Sequence, residues 1–100
     1  MVHKAKMDSD IFRFSIEGKV TSCMVEELEE AILPAIVYSR EIEIDLSQVS
    51  EIDLEGLRLM VDAKLEAISR DKMLRFTGHS KPVADIMGLC NLGGFFGIAG

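Results

Sequence analysis

Ile42-Glu43-Ile44-Asp45-Leu46-Ser47, followed by Val49-Ser50-Glu51-Ile52-Asp53-Leu54-Glu55-Gly56-Leu57, is the stretch that decides the fold. Ile42, Ile44 and Leu46 alternate with Glu41, Glu43 and Asp45, the two-residue period of a strand with one buried face. The period then becomes helical. Leu57, Met60, Val61, Leu65 and Ile68 recur at helical spacing, with Arg58, Asp62, Glu66 and Arg70 on the opposite face. Asp53 stands at the change of period, where a helix N-cap belongs.

Working outward, the same two periods repeat. Phe12, Phe14 and Ile16 alternate with Arg13, Ser15 and Glu17 as an earlier strand, and Gly18 predicts a turn before a short extension at Val20. Thr21 or Ser22 then caps a helix with an apolar stripe of Val25, Leu28, Ile32, Ala35 and Ile36. Glu26, Glu27, Glu29 and Glu30 fill its early turns, where carboxylates complement the helix dipole, and Pro34 kinks or ends it. Downstream, Leu74 and Phe76 alternate with Arg75 and Thr77, and Gly78 closes that strand. Ser80 reads as the cap of a last helix carrying Pro82 in its first turn and Val83, Ile86, Met87 and Cys90 on one face, ended by Gly93-Gly94. Phe95 and Phe96 read either as a final short strand or as aromatics folded onto the core.

Strand, helix, strand, helix, strand, helix is the order of a mostly parallel sheet with right-handed crossovers. Strands covered on both faces would be continuously apolar, so the polar alternation places the helices mainly on one face. The expected fold class is therefore α/β, a small mixed, mostly parallel sheet with helices mainly on one face. Residues 11–100 form one domain, and residues 1–10, with Lys4, Lys6, Asp8 and Asp10 and no apolar core, read as a mobile leader.

Composition narrows the function. The chain has 100 residues, of which 48% are hydrophobic, enough for one core. Its formal net charge of −6, with the eleven Lys and Arg scattered among seventeen acids, excludes nucleic acid as a partner and disfavours an anionic membrane surface. The longest apolar run, Ala31 to Val37, contains Pro34 and falls far short of the ~20 residues that span a bilayer, so the expected location is cytoplasmic. Cys23 and Cys90 lack the spacing of a zinc or redox pair and read as small packing residues.

The central segment is where the chain resembles a known family. Asp45-Leu46-Ser47 followed by Asp53-Leu54-Glu55-Gly56-Leu57 resembles the STAS domains shared by sulfate transporters and bacterial anti-sigma-factor antagonists, over nearly the whole chain. In that family the strand ends in a hydrophobic-Asp-Leu-Ser-like pattern, and Asp-Ser-Ser-Gly-Leu or Asp-Thr-x-Gly-Leu opens the helix. His79-Ser80-x-x-Val83, Leu89, Leu92 and Phe95-Phe96-Gly97 are similar to the ends of stand-alone members. The resemblance implies a STAS-like fold and a bacterial signalling protein that regulates transcription by binding an anti-sigma factor, a histidine-kinase-like ATPase, through the helix-opening corner. It also places the phosphoacceptor directly after the Asp. That position holds Leu54, which has no hydroxyl to phosphorylate.

No catalytic constellation accompanies the motif. His79, Ser80 and Asp85 are close only in sequence, and Ser80 has a simpler use as a cap. His3 and His79 do not cluster as metal ligands. Gly18-Lys19 fails as a phosphate loop, because Arg13 stands at the first glycine and Val20 at the Ser or Thr. The expectation is a protein without enzymatic activity, cofactor or metal. Its partner-binding residues are Asp53, Leu54, Glu55, Gly56, Leu57 and Arg58. Ser47 and Ser50 are the nearby hydroxyls open to phosphorylation, or to bonding of loop backbone. Leu54 serves either as a permanent apolar anchor or, with Glu55 beside it, as part of a corner locked by a permanent negative charge; the single charge of Glu55, one residue off, favours the anchor. Stand-alone STAS proteins also act as cytoplasmic accessory subunits of lipid-transporting ATP-binding-cassette complexes, the alternative function. A nucleotide- or ligand-binding module ranks below both for want of a phosphate-cradling loop.

Overall fold

The alternation in the central stretch becomes burial: Ile42, Ile44 and Leu46 are all but inaccessible, while Glu41, Glu43 and Asp45 stay half-buried on the other side. The computed structural model describes residues 2–8, 10–92 and 94. Its elements are β1 (Val2–Asp8), β2 (Ile11–Val20), α1 (Val25–Tyr38), β3 (Glu41–Ile52), α2 (Leu54–Ser69), β4 (Met73–His79) and α3 (Lys81–Leu89). The strands form one sheet in the order β1-β2-β3-β4. β1 runs antiparallel to β2, and β2, β3 and β4 are mutually parallel.

Each parallel pair is joined through a helix, and α1 and α2 pack on each other as well as on the strands. Phe14, Ile16, Ile44, Leu46, Leu74 and Phe76 from the sheet meet Leu28, Ile32, Ile36, Leu57, Met60, Ala63 and Ala67 from the two helices in one core. The opposite face is polar. There Arg13 Nε donates to Glu43 Oε2 at 3.1 Å, and Arg75 bridges Glu43 and Glu41. This charged ladder solvates the uncovered face, as the alternation predicts.

β3 is longer than its alternating core. β4 pairs with it only as far as His79 opposite Leu46, whereas β3 continues beside β2 to Ile52 opposite Val20. α3 fills the place that β4 vacates. The Ser80 N–H donates to the Leu46 carbonyl at 3.1 Å, and α3 buries Val83 and Met87 against β3.

Several sequence expectations need correction. Val2–Asp8 are not a mobile leader but an antiparallel edge strand, whose order comes from the backbone ladder to β2 and needs no long apolar run. Alternation of Lys4 and Lys6 with Ala5 and Met7 was its sequence signal, and lysine is a common edge-strand residue. Gly18 makes no turn: at φ 95° it sits inside β2 beside a register shift, so the glycine serves a bulge. α1 starts at Val25 with Met24 at its N-cap and no side-chain cap bond, so neither Thr21 nor Ser22 caps it. Pro34 does not end α1, which continues to Tyr38. In α2 the buried arc is Gly56, Leu57, Leu59, Met60, Ala63 and Ala67, leaving Leu65 and Ile68 half exposed. The small residues turn inward because α2 lies close to both the sheet and α1, which rotates the larger flanking side chains outward.

The last helix differs too. Ser80 occupies the N-cap position, but its hydroxyl makes no cap bond. Pro82, the second residue of the helix, removes one of the amides that a cap would bond. α3 ends at Leu89 with Cys90 as its C-cap, and Asn91, at φ 59°, turns the chain before the two glycines. The Leu92 N–H returns to the Met87 carbonyl and Asn91 N–H to Gly88, a Schellman closure that Asp71, at φ 57°, repeats after α2. Both cysteines are exposed free thiols, not packing residues, because Cys23 lies in the β2–α1 turn and Cys90 just past the end of α3. Phe95 and Phe96 lie outside the described residues.

Pro34 lies exposed in the interior of α1 and has no N–H for the Glu30 carbonyl one turn earlier. Proline costs a helix interior about 3 kcal/mol relative to alanine, offset by roughly 1 kcal/mol of lost unfolded-state freedom. Pro34→Ala is expected to raise the unfolding free energy by about 1–2 kcal/mol, read from the urea midpoint at unchanged slope.

Candidate functional site

The corner between β3 and α2 is built on Asp53. Its backbone is extended, with φ −107° and ψ −177°, and its Oδ1 accepts the Gly56 N–H at 2.9 Å, which makes it the N-cap of α2. Oδ2 accepts the Ser22 N–H at 3.0 Å, from a turn 31 residues earlier in the chain. The Asp53 N–H itself donates to the Val20 carbonyl at 3.3 Å. One residue therefore joins the end of β2, the β2–α1 turn and the first turn of α2. The Gly56 and Ser22 amides, in that order, hold the Asp53 carboxyl below its ordinary value by bonding its charged form, against a smaller opposing effect of burial.

Gly56 completes the joint. A Cβ at this position would collide with the Val20 carbonyl oxygen, so only glycine lets α2 approach the end of β2 this closely. Leu57 is buried in the core beside it. The other three residues of the segment face outward. Leu54 is 67% exposed, Glu55 is exposed in the first turn, and Arg58 pairs loosely with Asp62 at 4.0 Å. The predicted set thus divides into a scaffold of Asp53, Gly56 and Leu57 and a presented surface of Leu54, Glu55 and Arg58.

Ser47 and Ser50 are exposed on the long end of β3, on either side of buried Val49. The Ser47 N–H donates to Asp45 Oδ1 at 2.9 Å. The same carboxylate occupies the space beside Gly78, where a Cβ would come within 2.5 Å of Oδ1. The Ser22 amide and the Val20 carbonyl are the corner residues that sequence reading missed. No local signal marks them, since both act through backbone atoms of a distant segment.

Among the described residues, no group of three or more His, Cys, Asp or Glu side chains could hold a metal ion. Nor is any helix among them long and apolar enough to cross a membrane.

The sequence profile of the family described as Mlab, STAS domain, matches residues 4–98. No curated protein is significantly similar in sequence. Among solved structures, the anti-sigma factor antagonist SpoIIAA in its unphosphorylated form superposes with a TM-score of 0.81 at 18% identity, covering 99% of this chain and 89% of that one. An anti-sigma factor antagonist from Mycobacterium paratuberculosis gives 0.84 at 17% identity, over 97% and 83%. The Bacillus cell fate determinant SpoIIAA in its phosphorylated form gives 0.77 at 17%, over 99% and 92%. At these identities the likeness is one of fold.

Two outcomes test the corner. Gly56→Ala gains about 1 kcal/mol of helix propensity, yet it should lower stability by roughly 1–3 kcal/mol, because the added methyl meets immovable backbone. A neutral or stabilising result in a urea titration would show that the contact relaxes. The second concerns pH. A carboxyl whose folded value is lowered contributes stability above its unfolded value, about 4, and loses it as the pH falls through the folded value. Asp53→Asn keeps a capping oxygen but not the charge, so its stability deficit should be constant from pH 6 to 8 and shrink below about pH 4.

Proposed function

The chain belongs to the STAS domain family, and on that premise we propose that it is a non-enzymatic regulatory module that docks a partner protein through the N-terminal corner of α2. The observation that carries this reading is Leu54: a large aliphatic side chain, 67% exposed, on a corner otherwise locked by Asp53 and Gly56. An exposed leucine on a rigid support is a preorganised anchor, since little ordering remains to oppose binding. Glu55 and Arg58 flank it with opposite charges that orient the partner. The partner is an anti-sigma factor of the histidine-kinase-like ATPase class, and the module acts in the cytoplasm.

No phosphate switch operates at this corner. A phosphoryl group adds roughly two negative charges and would disrupt an apolar contact, but Leu54 offers no acceptor oxygen. Leu54 therefore gives a constitutive contact. Glu55 contributes one charge beside the position and does not reproduce the phosphorylated state.

A second reading is a cytoplasmic accessory subunit of a lipid-transporting ATP-binding-cassette complex. The Asp45-Leu46-Ser47-x-Val49-Ser50 stretch is compatible with it. Affinity purification from the native cell separates the two readings. Recovery of a histidine-kinase-like ATPase supports the first and of a transport ATPase the second; a tightly bound nucleotide with neither protein contradicts both.

Leu54→Asp is expected to weaken the co-purifying partner by more than ~1 kcal/mol in a calorimetric titration while leaving the thermal midpoint nearly unchanged, the side chain being mostly exposed. Unchanged affinity would remove Leu54 from the interface. Intact-mass and fragment spectra of the protein isolated from cells should show no phosphate; phosphate on Ser47 or Ser50 would overturn the constitutive reading.

A further inference from the structure

The outer surface of the helix pair holds an apolar groove whose rim meets the Asp53 corner through the Asp62–Arg58 pair. Ile32 and Leu33 of α1 and Leu59 and Ala63 of α2 line a hollow of about 240 Å³, rimmed by Glu29, Asp62 and Glu66. Ile32, Leu59 and Ala63 form its buried floor, while Leu33 is 40% exposed and Val37, one turn further along α1, is 41% exposed. The charge around the groove is one-sided. α1 carries Glu26, Glu27, Glu29 and Glu30 with no Lys or Arg, and α2 carries Glu55, Asp62 and Glu66 against Arg58 and Lys64. The two helices thus hold five of the six net negative charges of the chain. Asp62 and Glu66 make only exposed pairs with Arg58 and Arg70, at 4.0 and 2.8 Å, and such pairs exchange readily for other cations.

We propose that this groove is a second docking surface whose occupant is a basic amphipathic helix of a partner protein. Apolar side chains of that helix insert over Ile32, Leu33 and Ala63, and its Lys and Arg reach Glu29, Asp62 and Glu66, the helix-in-groove mode of recognition. Charge selects this occupant. A second copy would bring an equally acidic helix face against the first, and an anionic bilayer would be repelled. The acidic face also steers a basic segment toward the groove before contact, so association quickens at low salt.

The test uses the full chain, isotopically labelled, and a synthetic 18-residue peptide with leucines along one helical face and lysines on the other. A scrambled peptide of identical composition is the control. The amphipathic peptide should bind at least tenfold more tightly than the scrambled one and shift the amides of residues 29–33 and 59–66. Glu29→Lys, with its fold checked by circular dichroism, should weaken binding at least fivefold, and Thr77→Ser, exposed on the helix-free face, should leave it unchanged. Equal binding of the scrambled peptide, or shifts confined to other surfaces, would overturn the proposal. So would movement of the same amides with protein concentration alone, which would identify a second copy as the occupant.

Discussion

A single carboxylate ties the molecule together where it matters. Asp53 Oδ1 holds the first turn of α2 through Gly56, and Oδ2 holds the turn after β2 through Ser22. The backbone groups it joins have few alternatives. The first amides of a helix have no intrahelical partner, and the turn amide gains a charge-assisted bond. With Gly56 seated against the Val20 carbonyl, α2 approaches the end of β2 more closely than any other residue would permit. Beside that approach Leu57 and Met60 are buried, while Leu54 is left outward.

The same constraint explains which parts of the fold were legible in the sequence. Asp53 and Gly56 were readable because a cap and a close approach each demand a particular residue type at a particular offset from the helix start. Ile42, Ile44 and Leu46 were readable because a strand covered on one face must alternate. β1 was harder, since its order comes from backbone pairing, and a short Lys-containing stretch resembles a solvated tail. The inward arc of α2 departs from the apolar stripe for a related reason. Leu65 and Ile68 are the larger side chains, but Ala63 and Ala67 are the ones small enough to face closely packed neighbours. Hydrophobic periodicity identifies the helix; its rotation depends on packing distance, which a single sequence does not display. The partners of Asp53 were invisible for a third reason, being a backbone amide and a backbone carbonyl that any residues would supply.

The site itself was legible as a segment and not as a surface. Six consecutive positions, Asp53 to Arg58, read alike on paper, yet the structure gives them two tasks. Asp53, Gly56 and Leu57 maintain the corner and are engaged with the protein's own backbone and core. Leu54, Glu55 and Arg58 are what another molecule meets. A substitution in the first group acts on stability and reaches binding only through a deformed corner, whereas one in the second acts on binding directly.

The distribution of charge extends this division of labour across the molecule. On the helix-free face, Arg13 pairs with Glu43, and Arg75 with Glu41 and Glu43, within the sheet. On the helical face, α1 has four glutamates and no cation of its own. Early-turn carboxylates favour the helix by only about 0.3–1 kcal/mol each near the N-terminus, and the effect fades within the first turn. Glu29 and Glu30 lie beyond that turn and gain little from the dipole. Glu26 lies one turn before both, at i,i+3 and i,i+4, and these like charges repel with no cation within α1, while Leu33 and Val37 remain partly exposed nearby. Helix stability alone therefore does not account for the side chains on this face, and a cationic, partly apolar partner would relieve both the repulsion and the exposure in one contact.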